Sequence, residues 1–481
     1  MRALMWFRSD LRVADNTALT AATRDAKRGV VAVFFIASAQ WIEHDMAPVR
    51  AEFALRCLAE LRGKLQSLNV PLLVRHVPRY QDASSELLAL AGKHECDAVY
   101  FNDEYEWNER KRDEAVVDAF EASGRRAHRF TDQVVFLPGD IRTGDGGFYK
   151  VYSPFKRRWF GVLDEHGSLP SVPSPKKQRE SVGVKAEPIP DGVDGFDFEN
   201  RKHWSGLWPA GEKAAASRLD DFLAAPILQY KEQRDFPGVN ATAMMSHHLS
   251  VGTISPRTCI AKAMEHTKAR IDQSKDGPSH WISEVIWREF YRHIIVGFPR
   301  VSRGRAFDER TESIDWSNNK EHFEAWKKGQ TGIPIVDAAM RQLLDVGWMH
   351  NRLRMIVASF LTKNLLVDWR WGERHFMKHL IDGDLAQNNG GWQWAASTGT
   401  DAQPYFRIFN PVSQSQKFDP DGTFLRRYLP ELDDVDSADL HDPDRIAKGL
   451  WSPAYPEAVV DLKTSRKHAI EVFERVKKFG V

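Results

Sequence analysis

The chain has very little cysteine. Its 481 residues include only Cys57, Cys96 and Cys259, which lie far apart and form no C-x-x-C pair. A disulfide framework needs an even set of closely spaced cysteines, and a structural zinc site needs paired ligands. We therefore expect neither kind of site in this protein.

The sequence also lacks the short motifs of common hydrolases and phosphotransferases. It contains no G-x-S-x-G elbow, no P-loop and no H-E-x-x-H helix. The first turn after a predicted strand, FRSDLRVADNTAL, has no glycine, whereas a dinucleotide pyrophosphate bound there favours G-x-G-x-x-G. Hydrolysis and phosphoryl transfer therefore have little support, and redox or light chemistry carried by a cofactor remains open.

Long hydrophobic runs and an excess of one charge are absent as well. The longest apolar stretch, VVAVFFIA at 30–37, has the length of a buried strand and is far shorter than a membrane span. The start, MRALMWFRSDLR, has no apolar signal-peptide core, so we expect a cytoplasmic protein without a membrane partner. The net charge is +1, so any contact with nucleic acid must come from a local basic surface.

What the sequence does contain is, first, an alternation of strand and helix patterns. Short apolar runs predict strands, and the periodic stretches between them predict helices. The predicted strands are 3–7, 30–37, 71–77 and 97–102, and the predicted helices lie near 48–68, 82–94 and 107–123. This order predicts an α/β fold with a doubly wound, Rossmann-like parallel sheet.

The composition then changes along the chain. Positions 161–213 are rich in proline, glycine and charge, which is typical of a connector. Beyond them the periodicity is helical, for example at 280–295 and 349–369. We therefore predict three parts, namely an α/β domain at 1–135, an interdomain connector at 136–213 and an all-α domain at 214–481.

Two pairs of histidines raise the question of a metal. His375 and His379 are spaced i, i+4, but no H-E pair accompanies them, and two surface histidines late in a basic helix are the better interpretation. His247 and His248 are adjacent, so we expect their side chains to point to different faces. We predict no metal site.

Tryptophan and basic residues are concentrated in the predicted helical domain. Nine of the 16 tryptophans lie between positions 281 and 394, and the window 341–378 holds seven Lys or Arg against three acids. Basic side chains interleaved with tryptophan suit phosphate contacts combined with base stacking.

Two helical segments carry candidate binding faces. In WISEVIWREFYRH, Glu284, Trp287 and Arg288 share one face, either as a surface ion pair beside a core tryptophan or as a binding surface. In WMHNRLRMIVASF, Asn351 and Met355 share a face, and core packing is the commoner explanation of a methionine such as Met355. Spacing alone leaves these alternatives open.

Taken together, these segments resemble the photolyase/cryptochrome family, and within it the class I cyclobutane pyrimidine dimer DNA photolyases. The segments that carry the resemblance are MWFRSDLRVADNTAL, YKEQRDFP, WISEVIWREFYRH, TGIPIVDAAMRQL, GWMHNRLRM and IDGDLAQNNGGWQWAASTGTDAQPYFRIFNP. The resemblance spans nearly the whole chain and is most specific at 281–420. It implies an N-terminal antenna-binding domain, a C-terminal FAD- and DNA-binding domain, and light-dependent repair of pyrimidine dimers by electron transfer from excited reduced FAD to the flipped-out dimer.

The resemblance implies that FAD is bound and acts in its reduced anionic form. Asn388 would face the flavin N5, where a neutral amide does not repel negative charge, and Arg354 would pair with Asp382. The expected FAD contacts are Tyr230, Thr242, Ala243, Met244, Met245, Ser246, Trp281, Arg288, Asn351, Arg354, Asp382, Gly383, Asp384 and Asn388. The family usually has G-T-S-x-L-S where this chain has ATAMMS at 241–246, so we expect weakened or rearranged contacts near the flavin phosphates.

The resemblance also implies how the lesion and the electrons are handled. Trp287 and Trp394 would pack against the flipped-out dimer. Glu284, Asn351 and Met355 would touch its bases and act with Asn388 at the reacting groups. The expected contacts to the DNA strand are Arg234, Arg352 and Gln414, and the expected electron relay to the flavin, separate from repair, is Trp392, Trp369 and Trp316.

An antenna chromophore is implied in the α/β domain. His44, Asn108 and Glu109 match positions that bind 5,10-methenyltetrahydrofolate, and the alternative is a cap histidine with a solvated helix face. The family's Cys-Lys pair near the antenna is Ser302-Arg303 here, so a deazaflavin or no antenna stays open.

Three rival functions share this fold or its ligands. A cryptochrome would signal instead of repairing, and we expect the absence of a long tail after TSRKHAIEVFERVKKFG to argue against it. A (6-4) photolyase would typically place a histidine pair around MHNRLRM, and a flavoprotein that only binds structured nucleic acid would lack the reaction. We expect a monomer whose partner is dimer-containing DNA, with no protein partner implied.

Overall fold

The computed structural model describes residues 1–170, 172–179, 183–267, 275–448 and 455–479. The chain forms two compact units. The first consists of Met1–Leu228, Ala243–Pro299 and Ile381–Asp384, and the second of Gln229–Thr242, Arg300–Leu380 and Leu385–Val481. Among the helices of the described ranges, none combines the length and the apolar character needed to cross a bilayer.

The first unit contains a five-stranded, entirely parallel sheet. Its strands are β1 (Ala3–Phe7), β2 (Val30–Ile36), β3 (Leu72–His76), β4 (Ala98–Asn102) and β5 (Arg126–Phe130), arranged in the order β3-β2-β1-β4-β5. The order reverses between β1 and β4, as in a doubly wound fold, so the predicted α/β class is confirmed. The sequence did not predict β5, because this edge strand has only β4 as a neighbour and its residues are polar and partly exposed.

Helices make up most of the rest of both units. In chain order they are α1 (Thr17–Asp25), α2 (Ser38–Glu43), α3 (Pro48–Ser67), α4 (Ala83–Lys93), α5 (Trp107–Ala122), α6 (Tyr152–His166), α7 (Arg201–Leu207), α8 (Gly211–Ala224), α9 (Tyr230–Gln233), α10 (Ser246–Val251), α11 (Pro256–Met264), α12 (Gly277–Gly297), α13 (Lys320–Lys328), α14 (Pro334–Val346), α15 (Asn351–Ser359), α16 (Trp369–Met377), α17 (Leu385–Ala396), α18 (Pro411–Phe418), α19 (Thr423–Tyr428), α20 (Pro443–Lys448) and α21 (Leu462–Phe479). The helices predicted between the strands are confirmed as α3, α4 and α5. The predicted connector contains α6 and α7, and the three-part division of the chain stays a prediction.

The first strand–helix turn uses its own side chains where a nucleotide-binding fold would leave backbone N–H groups for phosphate. The N–H groups of Thr17, Ala18 and Leu19, at the start of α1, donate to the carboxylate of Asp132 and to the side-chain oxygens of Asn102 and Asn16, at 3.1, 3.0 and 3.0 Å. The turn without glycine is therefore a closed structural turn.

The core of the second unit is aromatic and lies among α13 to α19. Trp326, Trp369, Trp392 and Phe360 are all buried in it. The segment 349–369, predicted as one long helix, is broken: α15 ends at Ser359, a π-helical turn spans Phe360–Asn364, and α16 begins only at Trp369. The single-helix prediction was wrong because the intervening residues are buried, so the apolar pattern continues where the helix does not.

Candidate cofactor and DNA site

In the first unit, α12 carries two arginines on one face. Arg292 is buried and forms an ion pair of 2.7 Å with Asp384. Burial favours the neutral carboxyl, but Arg292 and Arg288 overcome this effect and hold the pKa of Asp384 below its usual value. Arg288 donates to the backbone oxygens of Gln133 and Leu249, and burial together with the charge of Arg292 lowers its pKa to about 9.

The donor set of Arg292 suits a cofactor rich in oxygen atoms. Its Nε and Nη1 atoms are buried and have no hydrogen-bond partner among the described residues. A buried donor without an acceptor is costly, so carbonyl or phosphate oxygens of a flavin nucleotide would stabilise this side chain. Three further expected FAD residues of this unit are also buried, namely Trp281, which packs on Phe222, and the neighbours Asp382 and Gly383.

The segment ATAMMS has an unusual backbone. Met244 adopts a left-handed conformation with φ of 46°, which is rare for a long side chain and costs energy. The guanidinium of Arg218, on α8, donates from Nε to the backbone oxygen of Ala243 at 3.0 Å. Met245 is buried, whereas Ser246, the first residue of α10, is exposed. The turn is thus held from outside by an arginine that sequence reasoning missed.

In the second unit, Asn388 is fixed by a hydrogen-bond network. Its Nδ2 donates to the backbone oxygen of Glu373 at 2.9 Å, which fixes the orientation of the amide. The carboxylate of Glu373 accepts from Asn389 at 2.8 Å, and Gln393 donates to Asn389 at 2.8 Å. Burial raises the pKa of Glu373 to about 7, although the bond from Asn389 lowers it.

Of the other expected FAD residues here, Tyr230 is buried under the guanidinium of Arg234, whereas Thr242 and Arg354 are partly buried.

The expected lesion contacts of the first unit lie on α12. Glu284 and Trp287 are both partly buried, one turn apart. The indole of Trp287 stacks on the ring of Tyr152 and meets Phe290 edge-on. Trp287 is therefore neither a fully buried core residue nor a freely mobile surface side chain.

The expected lesion and DNA contacts of the second unit gather around the start of α15. Asn351, its first residue, is exposed, and Met355 is partly buried. Arg352 forms an ion pair of 2.7 Å with Asp235 and lies over the ring of Phe418, and Arg234 lies 3.9 Å from the same carboxylate. Trp394 is partly buried against the aromatic core, and Gln414 of α18 has a buried Oε1 without a partner among the described residues. The two arginines expected to contact DNA are thus neighbours.

The three tryptophans expected to form the relay belong to one aromatic region of the second unit. Trp392 and Trp369 are buried in its core, and Trp316 packs against the same core while partly exposed. The ring of Trp392 contacts Phe376 and Trp326, with centroid distances of 5.0 and 5.9 Å. Burial therefore decreases along the expected relay, from Trp392 and Trp369 to Trp316.

The expected antenna residues meet in the first unit. The Nε2 atom of His44 lies 2.9 Å from Nδ2 of Asn108, and Nδ1 lies 3.5 Å from a carboxylate oxygen of Glu109. Tyr80 packs edge-on against His44. Burial and neighbouring carboxylates raise the pKa of Glu109, and that of nearby Glu106, to about 7. Buried acids of this kind suit a ligand that donates hydrogen bonds.

Both histidine pairs differ from their predicted positions. His375 is buried, with its ring 4.3 Å from that of His379, so the prediction of two surface histidines was wrong. His247 and His248 are both buried with their rings 4.2 Å apart, so they do not point to different faces. In the described ranges, no group of three or more His, Cys, Asp or Glu side chains could hold a metal ion.

Sequence comparisons place these features in a known family. A family model described as "DNA photolyase" matches residues 3–176, and one described as "FAD binding domain of DNA photolyase" matches residues 281–475. The chain is 42% identical over 478 residues to the deoxyribodipyrimidine photo-lyase of Salmonella typhimurium, covering 99% of both chains. It is 43% identical to that of Vibrio cholerae, covering 98% of this chain and 99% of the relative.

Solved structures agree with the sequence matches. A class III photolyase from Agrobacterium tumefaciens has a TM-score of 0.87 and 33% identity, covering 99% of this chain and 98% of its own. An archaeal photolyase from Sulfolobus tokodaii with two FAD molecules has a TM-score of 0.79 and 30% identity, covering 99% and 100%. A Synechocystis cryptochrome has a TM-score of 0.82 and 28% identity, covering 98% and 99%. The chain belongs to the DNA photolyase family.

Proposed function

We propose that this protein repairs cyclobutane pyrimidine dimers in DNA in a light-dependent reaction that uses FAD. The observation that carries the proposal is the 42% identity to deoxyribodipyrimidine photo-lyases over nearly the whole chain. The matching FAD-binding domain and the absence from the sequence of the hydrolase motifs support it. Bound and reduced, FAD would supply a light-excited one-electron donor for the dimer, and the electron would come back once the cyclobutane ring has split, so that no net redox change occurs.

The residues of the chain would bind FAD, orient it and exclude water from it. Arg292, whose Nε and Nη1 atoms are buried without a partner among the described residues, would gain acceptors from FAD, and its ion pair with Asp384 would fix the charge next to the cofactor. Asn388, oriented by the Glu373 carbonyl, would present an uncharged amide to the flavin N5. The family pattern assigns the segment 242–246 to the FAD phosphates, and Tyr230, Trp281, Arg288, Arg354 and Asp382 would be further contacts of FAD.

Lesion recognition requires the dimer to leave the helix. For enzymes that extrude a base, photolyases among them, flipping costs roughly a few kcal/mol, and less for a damaged pair. Trp287 and Trp394 offer stacking surfaces to the flipped bases, and Glu284, Asn351 and Met355 offer polar and soft contacts. Arg234, Arg352 and Gln414 bind the strand. All eight are partly buried or exposed, so they can reach a ligand.

Four finer assignments are also proposals. Trp392, Trp369 and Trp316 carry electrons toward the flavin, supported by the burial of Trp392 and Trp369 and the partial exposure of Trp316. His44, Asn108 and Glu109 bind a methenyltetrahydrofolate antenna, with a deazaflavin or no antenna as alternatives. The absorption spectrum of the chromophores released from purified protein distinguishes folate, deazaflavin and flavin alone. A monomer is expected from size-exclusion chromatography with light scattering, and a cytoplasmic location from cell fractionation.

One assay tests the function. Reduced, FAD-loaded protein is incubated with an oligonucleotide containing one thymine dimer, in blue light and in darkness. We expect the dimer to disappear only in light. Binding without repair would overturn the proposal and favour a cryptochrome or a binding module, and repair of (6-4) products in place of dimers would reassign the substrate.

A further inference from the structure

Tyr152, the first residue of α6, lies directly behind the lesion-packing Trp287. The centroids of the two rings are 3.7 Å apart, and their planes differ by only 13°. This is a closely stacked aromatic pair in the first unit. Tyr152 is buried, whereas Trp287 is partly exposed, so the tyrosine covers the protein side of the indole.

Tyr152 is itself fixed at a second point. Its hydroxyl lies 2.6 Å from both the carbonyl oxygen and Oγ of Ser283, four residues before Trp287 and therefore one turn away on α12. Phe290 meets the rings of Tyr152 and Trp287 edge-on, with centroid distances of 5.8 and 5.5 Å. Tyr152 thus contacts α12 at two points, the backbone of Ser283 and the indole of Trp287. Glu284 lies between these two residues in the sequence.

We propose that Tyr152 is a positioning residue for lesion recognition, which holds the Trp287 indole ready to stack on a flipped-out dimer. The inference rests on the proposed function, because it assumes that Trp287 packs against the dimer. An unrestrained tryptophan side chain loses conformational entropy when a base stacks on it. The indole of Trp287 is already restrained by the stacked Tyr152 ring and the edge-on Phe290 ring, so it loses less entropy on binding. Preorganisation of this kind strengthens binding of the flipped lesion without adding a contact to DNA.

Truncation of a positioning residue and truncation of a core residue would have different effects. A core residue, when truncated, lowers stability and FAD content and weakens every kind of DNA binding together. A positioning residue for Trp287 changes the preference for dimer-containing over undamaged DNA, because only the flipped lesion reaches the indole. The ring is the active feature, so phenylalanine should preserve most of the effect.

The test is dark binding of full-length, FAD-loaded variants to an oligonucleotide with one thymine dimer and to its undamaged match. The variants are Tyr152→Phe, Tyr152→Leu and Tyr152→Met. Tyr149→Leu is the matched control, because Tyr149 lies in the same segment and its ring meets Phe155 at 6.3 Å. Trp287→Ala is measured beside them to verify that the indole itself binds the lesion.

We expect the Leu and Met variants to raise the Kd for dimer-containing DNA by about three- to tenfold, the range that one aromatic pair supports, with FAD content and the Kd for undamaged DNA unchanged. The Phe variant should stay within about twofold, and Tyr149→Leu should match the unsubstituted protein. An unchanged preference in the Leu and Met variants, or a loss of FAD in both, overturns the role of Tyr152 and leaves the repair function intact. If Trp287→Ala also leaves the preference unchanged, the stacking assignment fails, and if the parent protein shows no repair in light, the proposed function fails.

Discussion

At the scale of single residues, the environment of Trp392 makes the relay assignment testable. Its indole is buried and contacts Phe376, so phenylalanine fits the same space without a readily oxidised ring. We predict that Trp392→Phe abolishes light-driven reduction of the oxidised flavin but preserves repair by chemically reduced protein. Absorption spectra during illumination, followed by a single-turnover repair assay, measure the two properties separately.

A matched control for that experiment lies in the same region. Trp371 is partly buried and meets Phe323 edge-on at 5.2 Å, but it is not among the tryptophans proposed to form the relay. Trp371→Phe should photoreduce normally. Normal photoreduction in the Trp392 variant would remove Trp392 from the relay, and loss of chemical-reductant repair would mean that the substitution disturbs the flavin site itself.

Arg218 is a second residue with a local, measurable task. Its bond to the Ala243 oxygen holds a turn in which Met244 is left-handed, and it stands where the family's usual hydroxyl and glycine are missing. A hydrogen bond to a charged donor contributes about 1.5–3 kcal/mol. We predict that Arg218→Met raises the Kd for FAD about tenfold in a fluorescence titration. Lys262→Met, which removes an exposed pair with Asp220, is the control and should leave FAD binding unchanged.

At the scale of elements, α16 and α17 approach too closely for any side chain at Gly372. A Cβ there would lie 2.2 Å from the Trp392 ring and 2.7 Å from Leu361. Gly372→Ala should destabilise the protein by about 1–3 kcal/mol through overpacking, measured by chemical unfolding. Gly391, on α17, has nothing within 4 Å of its Cβ position, so Gly391→Ala should instead stabilise by about 0.5–1 kcal/mol. Equal effects of the two substitutions would contradict this packing.

A buried carboxylate beside the sheet gives an element-scale dependence on pH. Burial would raise the pKa of Glu104, but Arg112, at 2.7 Å, and Arg8 overcome it and lower the pKa to about 2. A depressed pKa stabilises the fold above the unfolded value near 4.5, and this stabilisation is lost as pH falls from 4.5 toward 2. Glu104→Gln should therefore cost about 3 kcal/mol at neutral pH and progressively less in acid.

Urea unfolding at several pH values measures this effect. Glu165→Gln is the control, because Glu165 is exposed and its pair with Arg158 lies in solvent, where ion pairs contribute little. A Glu104 variant whose loss of stability is the same at pH 7 and at pH 3 would show that its charge is not the cause.

The sequence predicted these elements well where one periodicity governs them and poorly where it does not. Four strands were predicted because each is a continuous apolar run between turns, whereas β5 is polar and exists only because β4 pairs with it. The break between α15 and α16 was missed because Leu366, left-handed at φ 48°, is as apolar and buried as a helical residue. An apolar sequence pattern indicates which residues are buried, and burial alone does not distinguish a helix from a loop.

The residues of the candidate site also fall into those that the sequence could predict and those that it could not. Trp287 and Arg288 were predicted from helical spacing and resemblance, and Arg292 could have been found, since it lies four residues after Arg288 on the same face. Tyr152 and Arg218 could not, because their partners lie 131 and 25 residues away in the sequence and no local pattern joins them. Long-range packing decides which side chain supports a functional one.

At the scale of the whole molecule, a net charge of +1 limits what electrostatics can contribute to DNA binding. Affinity for the phosphate backbone must come from a few local cations, and preference for the lesion must come from contacts to the flipped-out bases, stacking among them. These two contributions separate experimentally, because only phosphate contacts release counterions and change the salt dependence of binding.

Arg352 and Trp287 represent the two contributions. Arg352, paired with Asp235 and partly buried, is proposed to bind a phosphate, so Arg352→Ala should weaken dimer-containing and undamaged DNA alike and reduce the slope of log K against log salt by about 1. Trp287→Ala should leave that slope unchanged and weaken only the dimer complex, by about 1–3 kcal/mol per stacked base. Titrations of both DNAs at several salt concentrations measure this, with Arg445→Ala, which breaks an exposed pair with Asp439, as the neutral control. A salt-dependence slope that falls in the Trp287 variant, or a lesion preference that falls in the Arg352 variant, would contradict this separation. Phosphate binding and lesion recognition would then depend on the same surface, because a nearly neutral molecule has few other cations that could bind the phosphates.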